Sequence, residues 1–170
     1  MIRALGYPVE VRHVTTEDGY TLELHRIPHG VSSRARSPPL GPVALLYHGL
    51  YGSSADWILN TADEALAYIM ADAGYDVWLA NARGNTYSRA HRTLDPKDIE
   101  FWDFSWDQIA DHDLPAIIDY VLRTTGKKDL FYVGFSMGTT VFFAMLSEHD
   151  KKKRTILRAD TFDNWTVVWQ

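Results

Sequence analysis

The sequence of 170 residues contains no cysteine. This absence excludes disulfide bonds, thiolate metal sites and a cysteine nucleophile, because each of them needs a thiol group. An excess of positive charge is missing too: 17 Lys and Arg residues against 22 Asp and Glu residues give a net charge of -5. Such a chain has no electrostatic footprint for nucleic acid and no general attraction to anionic lipid, so we expect no nucleic-acid partner.

Long apolar runs are also absent. No stretch is long and apolar enough to cross a bilayer, so we expect no transmembrane segment. The first residues lack the apolar run of about 7 to 15 residues that a secretory signal peptide needs, so we expect none and leave the compartment open. The 46% of hydrophobic residues can still build a globular core, and the length corresponds to one domain of roughly 150 residues.

Strand and helix patterns alternate along the chain. Residues 9–16 and 20–27 flank Asp18-Gly19, which predicts an antiparallel hairpin. The apolar run Val43–Tyr47 predicts a strand buried on both faces. The pattern then continues as helix, strand, helix, strand and helix over residues 54–73, 76–80, 107–124, 130–133 and 137–146. This order predicts an α/β fold with a mixed, mostly parallel sheet.

Two local signals refine these helices. Ser53 and Asp56 form a predicted capping box at the start of the first helix. Pro115 lies inside the second helical pattern, where its missing N–H predicts an interruption over residues 111–114. After His149 the periodic pattern ends in the basic run 151–154, and we place no helix beyond it.

The strongest chemical signal is Gly134-Phe135-Ser136-Met137-Gly138, which matches the G-x-S-x-G nucleophile elbow. The motif requires a strand before the serine, a helix after it and small residues around a strained turn, and residues 130–146 supply that context. The blander interpretation is a serine in an ordinary turn. The context favours Ser136 as a nucleophile.

An elbow serine needs an oxyanion hole. Its donors are the backbone N–H after the nucleophile and an N–H from the loop after an earlier central strand. In this sequence these donors would be Met137 and Leu50, since Leu50 follows the apolar strand at His48-Gly49. A plain strand-to-helix turn is the alternative for the segment around Leu50.

Further segments, taken in order, carry a family resemblance. They are Gly6-Tyr7-Pro8, residues 16–20, His48-Gly49-Leu50 with Asp56-Trp57, residues 72–79, Asn81-Ala82-Arg83-Gly84-Asn85-Thr86, residues 101–105, Asp113-Leu114-Pro115 and residues 134–140. Together they resemble the acid lipases, the animal lysosomal and gastric lipase group, over residues 1 to about 150. The resemblance implies an α/β-hydrolase fold and hydrolysis of triglycerides or sterol esters without metal or cofactor. It also implies a secreted or lysosomal family, with Ser136 as nucleophile and Leu50 and Met137 as oxyanion donors.

This chain departs from the family pattern inside the elbow and beyond it. The family usually has His in place of Phe135 and Gln in place of Met137, although Met137 keeps its backbone N–H. In this fold the acid and the histidine follow the nucleophile, yet the chain offers only Glu148 and His149 after Ser136. If His149 continues the elbow helix, thirteen residues at about 1.5 Å each place it roughly 20 Å from Ser136, which is too far for a base.

We therefore expect an incomplete α/β-hydrolase fold, with residues 1–150 as the N-terminal part of a lipase domain and residues 151–170 as a divergent tail. Such a truncated chain would be inactive alone, and either a truncated gene model or splice product, or a real short protein, explains it. The alternative is a non-catalytic binding or regulatory fragment that pairs with a full-length relative through the exposed edge of the elbow strand. A third hypothesis is an esterase with an unrecognised base. Asp111-His112-Asp113 lacks a second ligand cluster, so we favour a structural role over a metal site there.

Overall fold

The computed structural model of the protein describes residues 1–31, 41–148, 158–162 and 165–169. Its eight strands belong to one sheet. In chain order they are β1 (Glu10–Thr15), β2 (Tyr20–Ile27), β3 (Val43–Tyr47), β4 (Asp76–Leu79), β5 (Ala90–His91), β6 (Phe131–Phe135), β7 (Arg158–Phe162) and β8 (Trp165–Trp169). Their order across the sheet is β1-β2-β4-β3-β6-β8-β7, with β5 paired to β2 off this path.

The centre of the sheet is parallel. Strand β3 lies between β4 and β6 and pairs with both in parallel, and all five of its residues are buried, as the continuous apolar run predicted. The described strands outside this centre pair antiparallel, including the predicted hairpin of β1 and β2. The mixed sheet is confirmed, but parallel pairing is confined to its middle and is not the majority that we expected.

Helices cover both faces of the sheet. They are α1 (Leu66–Asp72), α2 (Trp106–Gln108), α3 (Leu114–Thr125) and α4 (Met137–Glu148), with 3₁₀ turns at Ile2–Leu5, Ser54–Trp57 and Ile99–Trp102. One buried apolar cluster joins α3 and α4 to one face of the sheet. A second cluster joins α1 and the first 3₁₀ turn to the other face. Within the described part of the chain, no helix has the length and apolar content to span a bilayer.

The single helix that we predicted over residues 54–73 is wrong. The capping box of Ser53 and Asp56 is present, but it starts only a 3₁₀ turn that ends at Trp57, and α1 does not begin until Leu66. Between them, Asp63 accepts a hydrogen bond from the side chain of Thr61, which holds the pKa of Asp63 below its ordinary value. Such local side-chain bonds compete with helical backbone bonds, and a correct apolar spacing did not overcome them.

The interruption at Pro115 is confirmed. Residues Ile109–Asp113 form a π-helical segment, and α3 begins at Leu114 with the proline in its first turn. Because proline has no N–H, it cannot donate to the carbonyl four residues earlier, and the wider π turn absorbs the defect.

The elbow strand is not a sheet edge. Strand β8 pairs antiparallel with β6, with Phe135 opposite Trp165, and β7 continues the sheet beyond β8. Our expectation of an exposed edge at the elbow strand is therefore wrong, because the segment after α4 returns to cover it. Residues 149–157, which include His149 and the basic run, lie outside the described part.

Candidate active site

The turn between β6 and α4 has the geometry of a nucleophile elbow. Ser136 is exposed and has a φ of 51°, one of two non-glycine residues with positive φ among those described. A left-handed backbone costs an L-residue about 1–2 kcal/mol, so the turn is strained. Such strain is typical of functional sites and lifts the serine side chain clear of the strand and the helix.

The two glycines of the motif have identifiable steric roles. A Cβ on Gly134 would lie 2.8 Å from the carbonyl carbon of Gly138. A Cβ on Gly138 would lie 2.6 Å from the carbonyl oxygen of Tyr47, at the end of β3. Both distances are shorter than real Cβ contacts, so α4 can approach the sheet this closely only without these side chains.

Hydrogen bonds fix the turn on both sides. The Thr139 hydroxyl donates to the carbonyl oxygen of Gly134 over 2.9 Å, and the Tyr132 hydroxyl donates to that of Gly138 over 2.8 Å. The Thr139 N–H donates to the carbonyl oxygen of Ser136 over 2.9 Å. Strand, turn and helix therefore form one rigid unit.

The loop after β3 meets this elbow. A Cβ built on Gly49 would lie 3.4 Å from the Cβ of Ser136 and 3.0 Å from the ring of Phe135. The loop turns sharply there: Gly52 N–H donates to the carbonyl oxygen of Gly49 over 3.0 Å, and Tyr51 has a φ of 60°. The structure thus brings the segment around Leu50 beside Ser136.

The backbone N–H groups of the two expected oxyanion donors are unpaired within the described ranges. In the described ranges, the backbone N–H groups of Leu50 and Met137 donate no hydrogen bond. Met137 is the first residue of α4, so its N–H lies at the positive end of the helix dipole. Two unpaired N–H groups that flank an exposed serine can hold an anionic oxygen.

His48 is close to the elbow in sequence and space, but it cannot act as a base. Its Nδ1–H donates to the carbonyl oxygen of Gly49 over 2.7 Å, and its Nε2 accepts from Ala82 N–H over 3.1 Å. Burial lowers its pKa. Both ring nitrogens are occupied, so His48 is a structural member of the loop.

No triad is assembled around Ser136 in the described part of the chain. Its hydroxyl has no hydrogen-bond partner there. Four other histidines hydrogen-bond to groups away from the elbow: His13, His25, His29 and His91. His149 lies outside the described residues.

A second row of hydrogen-bonded serine, histidine and carboxylate groups lies away from the elbow, and no motif in the sequence indicates it. The Ser54 hydroxyl is 2.9 Å from Nδ1 of His25, whose Nε2 is 2.7 Å from the carboxylate of Glu23. Both Ser54 and His25 line an open pocket of about 290 Å³. Ser54 is completely buried, however, so its hydroxyl cannot reach a substrate carbonyl. These hydrogen bonds join the hairpin of β1 and β2 to the 3₁₀ turn that begins at Ser54.

The surroundings of Asp113 indicate a structural role. It is fully buried and accepts from Nε and the backbone N–H of Arg83 over 2.8 and 3.0 Å. The same guanidinium bonds Asp18 and lies 4.1 Å above the ring of Tyr20. Burial raises the pKa of Asp113 to about 6, against the opposing effect of Arg83. The described residues contain no cluster of three metal-ligating side chains.

Comparison with known families agrees with this geometry. The family described as a partial α/β-hydrolase lipase region matches residues 1–61, and the α/β-hydrolase fold family matches residues 42–165. Among solved structures, an esterase of Pyrococcus furiosus superposes with a TM-score of 0.61 at 19% identity, covering 89% of this chain and 50% of that one. A Penicillium α/β hydrolase superposes with a TM-score of 0.59 at 21% identity, covering 84% of this chain and 42% of that one. These structures establish the fold.

Sequence relatives are lipases. Lipase lipl-3 of Caenorhabditis elegans is 49% identical over 150 residues, which are 88% of this chain and 37% of the relative. Human gastric triacylglycerol lipase is 47% identical over 156 residues, which are 92% of this chain and 39% of the relative. The chain spans less than two fifths of the length of these curated relatives. It belongs to the α/β-hydrolase fold family, in the branch that contains the animal acid lipases.

Proposed function

We propose that this chain supplies the nucleophile and the oxyanion hole of an acid-lipase-type serine ester hydrolase. Ser136 is the nucleophile, and the backbone N–H groups of Leu50 and Met137 bind the oxyanion. The observation that carries the proposal is the strained, exposed Ser136 beside the Gly49 turn. The substrate class is a lipid ester, a triacylglycerol or a sterol ester, in keeping with the lipase relatives.

The chemistry assigns a distinct task to each group. The Ser136 hydroxyl attacks the ester carbonyl carbon while a base takes its proton, and the carbonyl oxygen becomes an anion that the two N–H groups stabilise. The tetrahedral intermediate then expels the alcohol, which leaves with that proton, and water hydrolyses the acyl-enzyme. No step uses a metal or a cofactor.

The base is the part that Ser136 lacks among the described residues. Without a base a serine hydroxyl is a weak nucleophile, and a site without one triad member retains only residual catalysis from the oxyanion hole and binding. We therefore propose that the chain does not turn over esters on its own.

Two measurements test the proposal. First, wild type and Ser136→Ala are compared on a fatty-acid ester, where equal rates are expected; a wild-type rate well above that of the variant would refute the inactivity. Second, residues 1–147 are joined to the downstream region of human gastric triacylglycerol lipase. This chimera should hydrolyse esters and bind a fluorophosphonate covalently at Ser136.

In that chimera Ser136→Ala should lower kcat by at least about 10³-fold, because it removes the nucleophile. The matched control is Ser147→Ala, which removes an exposed hydroxyl that bonds only within α4. Full activity of the Ser136→Ala chimera, or a fluorophosphonate adduct at another serine, would overturn the assignment.

The non-catalytic alternative loses one expected route to a partner. It relied on an open edge at β6, and β8 occupies that edge. Pairing with a relative stays a prediction.

A further inference from the structure

We propose that Asn81 and Asn85 are positioning residues that clamp the oxyanion loop, residues 48–54, at both of its ends. Both asparagines follow β4, outside the loop and outside the elbow. The catalytic consequence of the clamp rests on the function proposed above. The clamp itself is a hydrogen-bond arrangement that can be measured without any activity.

The first end of the loop is held through His48. Its Nε2 accepts from Ala82 N–H over 3.1 Å and lies 3.3 Å from Nδ2 of Asn85. Since Nε2 is an acceptor, the ring proton must be on Nδ1, where it donates to the carbonyl oxygen of Gly49. One imidazole thus transmits the position of the segment after β4 to the peptide that precedes Leu50.

The second end is held through Ser54. Its backbone N–H donates to Oδ1 of Asn81 over 2.9 Å. Asn81 is completely buried, and its Nδ2 donates to the carbonyl oxygen of Glu23 on β2 over 3.0 Å. The end of the loop is therefore tied to the interior of the sheet.

Asn81 and Asn85 are hydrogen-bonded to each other, and their surrounding hydrogen bonds define the orientation of both side-chain amides. Asn85 Nδ2 donates to Oδ1 of Asn81 over 2.9 Å. Asn85 Oδ1 accepts the backbone N–H groups of Tyr87 and Ser88 over 3.0 and 3.1 Å, so its NH₂ group must face Asn81 and His48. A carboxylate at position 85 has no such donor, so only an amide satisfies both neighbours here.

The loop between the holds contributes little packing of its own. Leu50 and Tyr51 are 62% and 98% exposed, and Tyr51 carries a strained backbone. Inside the loop, the Gly52–Gly49 backbone bond closes the turn, and Asp56 accepts Ser53 N–H over 3.2 Å. With so few internal contacts, the direction of the Leu50 N–H depends on where the two ends are fixed.

Nuclear magnetic resonance of the 170-residue chain tests the first hold. In wild type, the ¹⁵N shifts of His48 should show the neutral tautomer with the proton on Nδ1. In Asn85→Asp the carboxylate faces Nε2, so a second ring proton should appear on Nε2 and the pKa of His48 should rise. Asn60→Ala, which alters an exposed asparagine, should leave the His48 shifts unchanged.

Amide hydrogen exchange tests the second hold. Asn81→Ala should accelerate exchange of the Ser54 amide by at least about 10-fold relative to amides of β3. An unchanged His48 tautomer in Asn85→Asp together with unchanged Ser54 exchange in Asn81→Ala would overturn the clamp. Asn85 is only half-buried, so its variant keeps the test decisive if Asn81→Ala fails to fold.

Kinetics of the lipase chimera test the catalytic consequence of the clamp. Asn85→Ala should lower kcat about 10–100-fold with little change in KM, since a displaced oxyanion donor weakens transition-state binding more than substrate binding. A changed His48 spectrum with unaltered kcat would retain the clamp and refute its catalytic role. A chimera in which Ser136 itself proves dispensable would refute the proposed function and leave the spectral result standing.

Discussion

Arg83 and Asp113 form a buried ion pair in which Nη2 and Oδ1 are 2.6 Å apart. The pair joins the segment after β4 to the π-helical turn before α3, and Asp18 binds the same guanidinium from the hairpin. Three parts of the chain that are distant in sequence thus meet at one cation. Removing one member of such a group leaves a buried charge without a partner.

The raised pKa of Asp113 predicts a pH dependence of stability. Its folded pKa is about 6, against an ordinary value of 3.8. Between these values the folded chain keeps a proton that the unfolded chain has lost, so the free energy of unfolding should fall as pH rises from about 4 to about 6. Urea unfolding of wild type and Asp113→Asn across this range should show the extra slope in wild type alone. Parallel curves would contradict the prediction.

Substitution of Arg83 should lower the free energy of unfolding strongly at neutral pH and less strongly in acid. Arg83→Met leaves Asp113 buried without its cation, which costs about 3–5 kcal/mol of unfolding free energy. At pH 5 the protonated carboxyl needs no counter-ion, so part of this loss should be recovered. Arg123→Met, at an exposed position of α3, is the control and should change stability little at either pH. An equal loss at both pH values would argue against Asp113 as the cause.

Much of the fold was readable from local pattern. The continuous burial of Val43–Tyr47 and the Asp-Gly turn of the hairpin are short-range signals, and both elements are present where predicted. The break in the predicted helix between Trp57 and Leu66 could not be predicted from the sequence. The apolar residues there keep helical spacing, while polar side chains form local hydrogen bonds. The β7–β8 return was missed for a different reason: pairing across the sheet is set by long-range contacts, which no local period reports.

The site divides in the same way. The elbow around Ser136 has a sequence signature because its steric demands fall on neighbouring residues. The hydrogen-bonded row of Glu23, His25 and Ser54 has no such sequence signature, because its members come from separate elements that only the folded sheet brings together. In the sequence, Asn81 and Asn85 are marked only by the family resemblance, because their contacts with Ser54 and His48 exist only in the folded chain.

The strain at Tyr51 can be relieved without loss of packing. Tyr51 is 98% exposed and has a φ of 60°, a region that asparagine tolerates better than an aromatic residue. Tyr51→Asn should therefore raise the free energy of unfolding by about 1 kcal/mol. Leu59→Asn, at an exposed apolar residue without positive φ, is the control and should give no gain. A loss of stability in Tyr51→Asn would mean that the ring makes contacts that compensate for the strain.

Coverage of the elbow strand predicts the association state. With β8 paired to β6, the 170-residue chain should sediment as a monomer of 19.4 kDa. A variant that ends at Asp150 lacks β7 and β8, which uncovers β6 and should promote self-association or precipitation. Sedimentation velocity of both chains over a range of concentrations checks this. A dimeric full chain would favour the partner hypothesis, and a monomeric shortened chain would show that β6 needs no cover.

Gly138 should be intolerant of even one added methyl group. A Cβ there would lie 2.6 Å from the carbonyl oxygen of Tyr47 and 3.1 Å from that of His48, both backbone atoms that cannot rotate away. Gly138→Ala must push α4 away from β3, at a cost of about 1–3 kcal/mol, even though alanine favours helix. Thr140→Ala, at an exposed position two residues later on α4, should be neutral or slightly stabilising. Because the displaced helix carries the Met137 N–H, Gly138→Ala should also slow fluorophosphonate labelling of the chimera. A variant that is stable and labelled at the normal rate would refute the steric explanation for Gly138.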